Sequence, residues 1–283
     1  MTMATGTATA GPVVTEASAL AHTYLELVTS CEALNVRIAS EASQALLDGA
    51  ELTRSEKALD AFIDAEADRI REHHGHAPRR DVAASRALHD YLWSVALLMS
   101  GAWYLERRVP RIAPQDVHID LAAAAFEIVP GAGFACLPDD PAAGMPGVRV
   151  VAHEEALRAE LRATVADHVG PLLTAVGPHA RRRPRALWGM AADDLVSGIW
   201  YLGRMLDQED RAIQAATELL PTAIPPFPGG ADFRRLAGRD GRRHPTRTRL
   251  GCCMYYTLDA AQACSTCPRT CDAERLRRLE DAD

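Results

Sequence analysis

The feature that most limits how this chain can fold is a group of four cysteines near its C-terminus. Cys252 and Cys253 are adjacent, and after ten intervening residues Cys264 and Cys267 form a C-x2-C pair, in a chain of 283 residues with only seven cysteines. Four thiols that converge within so short a span suit a zinc ion, an iron–sulfur cluster or disulfides. The fold therefore has to bring these four side chains together.

The chemistry of the spacing separates these three kinds of site only in part. Disulfides are disfavoured, because a bridge between Cys252 and Cys253 would strain the peptide between them and because the N-terminal residues MTMATGTATAGPVV resemble no secretory signal. Structural zinc prefers two C-x2-4-C pairs, whereas adjacent side chains in an extended segment point to opposite sides. A binuclear iron centre contains two iron atoms, so two adjacent cysteines do not both have to reach a single ion. On chemistry alone, zinc and an iron–sulfur cluster remain equal alternatives.

The composition is that of a soluble globular protein without a general attraction to nucleic acid or anionic lipid. Apolar residues make up 48%, charged residues 24%, and the net charge is −7. The most apolar run, residues 91–105, is shorter than the roughly 20 residues that cross a bilayer, and it predicts a buried helix. We therefore expect a cytoplasmic protein with no transmembrane segment.

The chain pattern predicts an α+β protein, helix-dominated, with a small antiparallel sheet and a C-terminal cysteine-rich hook. Thr53 and Glu56 form a capping-box pattern at the start of one helix, Gly75 marks its end, and Gly170-Pro171 is expected to stop another. Short β-leaning pieces separated by Pro, Gly and Asp occupy residues 115–151. The expected regions are a disordered tail (1–13), an N-terminal helical region (14–114), a mixed α/β region (115–244) and a cluster-binding segment (245–283).

Nucleotide-binding and common hydrolytic motifs are not found in the sequence. It contains no G-x-G-x-x-G, no phosphate-binding loop, no H-E-x-x-H and no G-x-S-x-G. Neither a nicotinamide nor a nucleotide phosphate therefore has an obvious site. A redox protein of this kind would take its electrons from a partner protein.

A run of arginines precedes the cysteines in an otherwise acidic chain. The simplest interpretation is a solvated loop, because charge runs usually form one. The alternative interpretation is a patch that attracts an anionic ligand and raises the reduction potential of an anionic cluster. The candidate substrate-binding residues in this run are Arg242, Arg243, Arg247 and Arg249.

The pattern Cys-Cys-x10-Cys-x2-Cys near the C-terminus resembles that of the FhuF-like ferric-siderophore reductases. Tyr255 and Tyr256, after the double cysteine, are also similar to this family, as is the Leu-Trp to Trp-Tyr-Leu segment at residues 186–202. The strand GFACLPDD around Cys136 resembles the family less specifically. The likeness is specific over the last 35 residues and faint over the first hundred.

The resemblance implies both a cofactor and a reaction. Cys252, Cys253, Cys264 and Cys267 would hold a [2Fe–2S] cluster, which would reduce chelated Fe(III) in a ferric siderophore, with no catalytic residues beyond the cluster. A ferredoxin or a flavoprotein reductase would donate the electrons. Cys271 is a fifth thiol that the family pattern does not require. The alternatives are a zinc-stapled siderophore-binding or biosynthesis-accessory protein without enzymatic activity, and an iron–sulfur redox sensor.

Overall fold

The computed structural model describes residues 19–43, 45–131, 133–239, 241–259 and 263–281. Within these ranges the chain is mainly helical, with three small sheets, which confirms the α+β class. Eight α-helices are present in the described ranges: α1 (Ala21–Ser30), α2 (Glu51–Arg54), α3 (Glu56–His74), α4 (Arg80–Glu106), α5 (Glu154–Ala180), α6 (Pro184–Met205), α7 (Glu209–Leu219) and α8 (Asp272–Glu280).

The described strands form two mixed sheets and one hairpin. The first sheet has the order β1-β5-β4-β2, the second β3-β6-β7, and β8 pairs with β9. The strands are β1 (Val36–Ile38), β2 (Leu47–Asp48), β3 (Val109–Pro110), β4 (Val117–Asp120), β5 (Ala125–Ile128), β6 (Phe134–Cys136), β7 (Val148–Val150), β8 (Arg234–Ala237) and β9 (Arg243–Thr246).

All four predicted strand pieces between residues 115 and 151 are strands, but they belong to two sheets. The antiparallel pair β4–β5 is extended by β1, which runs parallel to β5, while β6 pairs in parallel with β7. Strands β1 and β2 come from the region that we expected to be helical. Their partners lie about 70 to 90 residues away, so short-range sequence pattern gives them little signal.

Helices α4 and α6 pack against each other at the centre of the molecule, and α3 and α5 pack around α4. Helix α4 contains the apolar run of residues 91–105, which is buried as predicted. Among the described helices, none is both long and apolar enough to span a membrane.

Two helix boundaries differ from the sequence prediction. Ser55, rather than Thr53, caps α3, since its hydroxyl accepts a hydrogen bond from the backbone N–H of Ala58; the helix ends at Gly75 as expected. Helix α5 continues through Gly170-Pro171 to Ala180. The proline costs about 3 kcal/mol in a helix interior. Burial of the next apolar side chains, at roughly 1.5–3 kcal/mol each, outweighs that cost; these are Leu172, Leu173 and Val176.

Candidate metal centre

The cysteine segment, residues 247–271, lies against the buried face of α6. Gly251 makes the closest approach: a Cβ atom at this position would lie 2.6 Å from the Cγ atom of Met190 and 2.7 Å from the backbone nitrogen of the same residue. No other residue type fits there without displacing α6 or the segment. A glycine immediately before the double cysteine is therefore a packing requirement.

The four predicted ligand cysteines surround one small pocket. Cys253 and Cys267 are buried, whereas Cys252 and Cys264 are half-buried. All seven cysteines of the chain lie in the described ranges and are free thiols, so the structure contains none of the disulfides that we considered. The pocket is lined by Arg249, Gly251, Cys252, Cys253, Tyr255, Tyr256, Ala263, Cys264, Cys267 and Pro268.

Two local turns direct the thiols toward this pocket. After the double cysteine, Met254 adopts a left-handed conformation with φ of 65°, and its backbone N–H donates to the Sγ atom of Cys252 at 3.4 Å. The backbone N–H of Cys267 donates to the carbonyl oxygen of Cys264 at 3.0 Å. The first turn therefore brings the backbone back onto the Cys252 sulfur directly after the double cysteine.

Two adjacent aspartates of α6 fix the segment that precedes the cysteines. Asp193 accepts a hydrogen bond from Nη2 of Arg247 at 2.7 Å and another from the backbone N–H of Gly251 at 2.6 Å. Asp194 accepts from Nη2 of Arg249 at 2.6 Å. We call these five residues the aspartate clamp. Both carboxylates and the Arg247 side chain are fully buried, so the clamp consists of charges that are paired away from water.

The clamp continues to the surface through a histidine. Nδ1 of His89, on α4, lies 2.9 Å from Oδ2 of Asp194. Burial alone would raise the pKa of Asp194, but His89 and Arg249 outweigh it, and the pKa lies below its usual range. For Arg249, burial is outweighed by Asp194 and Asp193, so its pKa is raised and the guanidinium stays charged.

Arg249 also supplies a test of whether the pocket suits an anionic cluster. Its Nε–H is buried and has no hydrogen-bond partner in the described residues; Asp193 Oδ2, at 3.7 Å, is beyond hydrogen-bond length. The charge of Arg249 also interacts with Cys253 and Cys264. A buried donor without an acceptor is costly. A thiolate or sulfide acceptor in this pocket would satisfy the donor, so these residues fit an iron–sulfur cluster.

Three further arginines hold the backbone around the cysteines by binding carbonyl oxygens. Arg275, on α8, is almost fully buried and donates to the carbonyls of Ser265 and Cys267, both at 2.9 Å. Arg182 donates to the carbonyl of Cys252 at 3.1 Å, and Arg278 to that of Ala263 at 2.8 Å. These contacts replace the ladder hydrogen bonds that a segment without regular secondary structure lacks.

Helices α3 and α4 cover the pocket from another side. The guanidinium of Arg86 lies 5.2 Å from the centre of the Tyr255 ring, and the His74 ring packs edge-on against Tyr255 at 5.9 Å. Burial lowers the pKa of Arg86, but Asp90 and the Cys253 thiol, to which Arg86 hydrogen-bonds, outweigh this effect and the pKa is raised. Arg86 therefore remains a cation next to a predicted ligand.

Two of the four thiols, those of Cys252 and Cys264, are protonated at neutral pH when no metal is bound. Burial raises the pKa of Cys264 to about 11, and it also raises the pKa of Cys252. Because metals bind the thiolate, metal binding has to displace these protons. In the described part of the chain, no three His, Cys, Asp or Glu side chains converge as a single metal ion requires. The ligand assignment therefore rests on the shared pocket and on the comparison below.

The four arginines that we predicted to bind substrate lie in two different environments. Arg242 and Arg243 are exposed at the β8–β9 hairpin, so this part of the run is not a plain loop. Arg247 and Arg249 are buried in the aspartate clamp, where they cannot contact a large ligand. Sequence reasoning did not identify Arg86 or Arg275 as part of the site. They contact the cysteine segment through the fold, and no local motif marks them.

We expect Asp193→Asn to destabilise the protein by about 3–5 kcal/mol, because it leaves the buried Arg247 charge without its partner. Chemical denaturation of the metal-free protein measures this loss. The control is Asp68→Asn, an exposed residue paired with Arg71 at 2.9 Å, for which we expect a change of about 0–1 kcal/mol. Equal unfolding midpoints for the two variants would show that the clamp does not stabilise the fold.

Comparison with known families agrees with the geometry. Residues 249–269 match the family model of the FhuF 2Fe-2S C-terminal domain. The chain matches no curated protein. The matched range contains all four pocket cysteines and ends before Cys271, and the match decides between zinc and an iron–sulfur cluster in favour of [2Fe–2S]. Over residues 249–269 the chain is therefore similar to the FhuF 2Fe-2S C-terminal domain.

Proposed function

We propose that this protein is a ferric-siderophore reductase that transfers one electron from a [2Fe–2S] cluster to chelated Fe(III). The observation that carries the proposal is the shallow position of the cysteine pocket. Cys252 and Cys264 are half-buried, in a segment that matches the FhuF 2Fe-2S C-terminal domain. A cluster held there would lie close enough to the surface to exchange electrons with a bound molecule.

Cys252, Cys253, Cys264 and Cys267 would hold the cluster, which supplies one-electron transfer when bound. Arg249 lines the pocket and interacts with Cys253 and Cys264 through its charge, and Arg86 keeps a positive charge beside Cys253. Tyr255 and Tyr256 line the pocket. No side chain is needed as an acid or base, because the reaction moves an electron and does not require a proton transfer.

The electron changes how tightly the chelate holds its iron. Hydroxamate and carboxylate oxygens are hard donors that bind Fe(III) tightly and Fe(II) much less well. Reduction of one chelated Fe(III) therefore gives Fe(II), which dissociates, and leaves the siderophore intact. A ferredoxin or a flavoprotein reductase would return the electron. We place the reaction in the cytoplasm, where thiols stay reduced.

Anaerobic single-turnover measurements test the reaction. The protein is reduced with dithionite, freed of excess reductant, and mixed with a ferric tris-hydroxamate in the presence of an Fe(II)-specific chromophore. We expect the oxidised cluster spectrum to return as one Fe(II) is released for each cluster. If the cluster stays reduced beside excess ferric chelate, the protein is not a reductase of this class.

We expect replacement of Cys252, Cys253, Cys264 or Cys267 by Ser to abolish the stable cluster, because a hydroxyl is a poor iron ligand compared with a thiolate. Iron and sulfide content and visible absorbance measure the result. The matched control is Cys271→Ser, which replaces an exposed thiol outside the matched segment and should leave two irons per chain. Loss of the absorbance in the control, with retention in one of the four, would contradict the ligand assignment.

Arg86→Gln should lower the reduction potential of the cluster. The cluster gains negative charge on reduction, so removing a nearby cation disfavours the reduced form. We expect a decrease on the order of 50 mV, since 59 mV corresponds to a tenfold change in a one-electron equilibrium. Arg80→Gln is the control, because Arg80 is also on α4 but is exposed and pairs with Asp64 at 2.6 Å. An unchanged potential in a redox titration of Arg86→Gln would exclude this role.

A further inference from the structure

A large cavity opens beside the cysteine segment, at the place where α6, α7, α8 and the β8–β9 hairpin meet. Its volume is about 780 Å³, within the range that small-molecule sites occupy. We call it the arginine basin. It is lined by Trp200, Arg204, Asp207, Gln208, Glu209, Asp210, Arg211, Arg235, Arg242, Arg243, His244, Pro245, Ser265, Arg278 and Leu279.

Cations outnumber anions in this lining, with six arginines against three carboxylates. Two of the carboxylates already have partners: Asp210 pairs with Arg235, and Glu209 accepts a hydrogen bond from Nε1 of Trp200 at 2.8 Å. The basin therefore presents excess positive charge in a protein with a net charge of −7. Such a concave, positively charged surface raises the local concentration of anions.

Two guanidinium groups in the basin are available to a ligand. Arg204 extends from the last turn of α6, and Arg243 from the start of β9, and both side chains are exposed. Neither guanidinium makes a hydrogen bond or an ion pair with any residue that the structure describes. A planar guanidinium binds a carboxylate through two parallel hydrogen bonds, which a neutral ligand cannot supply with the same strength.

The basin adjoins the cluster-binding loop. Ser265 belongs to its lining and directly follows Cys264, the half-buried ligand. Arg278 connects the two sites, since it lines the basin and donates to the carbonyl of Ala263, directly before Cys264. A molecule in the basin would thus lie against the residues that flank a cluster ligand.

We propose that the arginine basin binds the ferric substrate through carboxylate groups, and that the preferred substrates are Fe(III) chelates with a net negative charge. This inference rests on the reductase function proposed above and adds the class of chelate and the place where it binds. Arg204 and Arg243 bind the carboxylates. Ser265 lies on the side of the basin that is next to the predicted ligand Cys264. A reduced cluster held by the four cysteines would supply one electron to the bound Fe(III), with no bond to the protein made or broken.

A second cavity, of about 460 Å³, is the competing location. It is lined mostly by apolar residues such as Leu173, Leu187 and Trp188, and it reaches the cysteine segment through Arg182, whose guanidinium is already bound to the carbonyl of Cys252. Arg183 also lines this second cavity and is exposed. Replacing it by Gln removes one positive charge at the competing location and therefore serves as the control.

Binding of Ga(III)–citrate to the oxidised, cluster-loaded protein tests the proposal, since Ga(III) resembles Fe(III) but cannot be reduced under these conditions. Calorimetric titration should show binding to the parent protein that weakens as NaCl is raised. Arg204→Gln combined with Arg243→Gln should weaken it at least about tenfold, because charge-assisted hydrogen bonds are lost. Arg183→Gln should change it less than about twofold, as expected of an exposed charge outside the basin.

The proposal is overturned if the parent protein does not bind Ga(III)–citrate, if binding is independent of salt, or if Arg183→Gln weakens binding more than the basin double variant does. Arg204→Lys with Arg243→Lys keeps the charge and should retain part of the affinity, which separates a lost contact from a misfolded variant. Reduction of an uncharged ferric tris-hydroxamate should be the same in Arg183→Gln and the parent. Failure of that reduction in the parent protein would refute the proposed function, whereas failure of citrate binding alone would refute only the basin.

Discussion

The position of the cysteine segment depends on two adjacent carboxylates on one buried turn of α6. Neighbouring residues of a helix point about 100° apart. Asp193 therefore faces Arg247 and the backbone of Gly251, while Asp194 faces Arg249 and His89. The two carboxylates therefore bind the segment at Arg247, Arg249 and Gly251, immediately before the double cysteine. Pairs of this kind add little net stability compared with apolar packing, but they penalise any arrangement that leaves one charge alone. They therefore specify one position for the segment.

Arginine has three distinct roles around the pocket. Arg247 and Arg249 pair with carboxylates, Arg182 and Arg275 bind backbone carbonyls, and Arg86 places charge beside a thiol. A guanidinium suits all three because its five donors lie in one plane and can serve several acceptors at once. The cysteine segment thus obtains from side chains the hydrogen bonds that a helix or a strand would obtain from its own backbone.

The sequence was sufficient to predict the helical character of the fold, the four strand pieces and the convergence of four cysteines on one pocket, because each has a short-range pattern. It was not sufficient for the path of α5, where buried apolar contacts override the proline at position 171. It also could not separate Arg243 from Arg247, four residues apart in one arginine run, although one is exposed and the other is fully buried. Their difference arises from Asp193, which is more than fifty residues away and becomes a neighbour only after folding. A charged side chain can be buried only where the fold supplies an oppositely charged partner, and such a partner can be distant in the sequence.

The identity of the cations around the pocket has a consequence for how the protein responds to acidity. Arg86 and Arg249 carry guanidinium groups whose pKa values are raised by neighbouring acidic groups, so they keep their charge across the pH range in which proteins are folded. A lysine or histidine in the same places could lose its proton on burial and change the field at the cysteines. The charge that these two arginines place at the pocket is thus nearly constant as the medium becomes more acidic or more alkaline. Any pH dependence of the proposed reduction is then left to other groups, among them His89 beside Asp194 and the chelator itself.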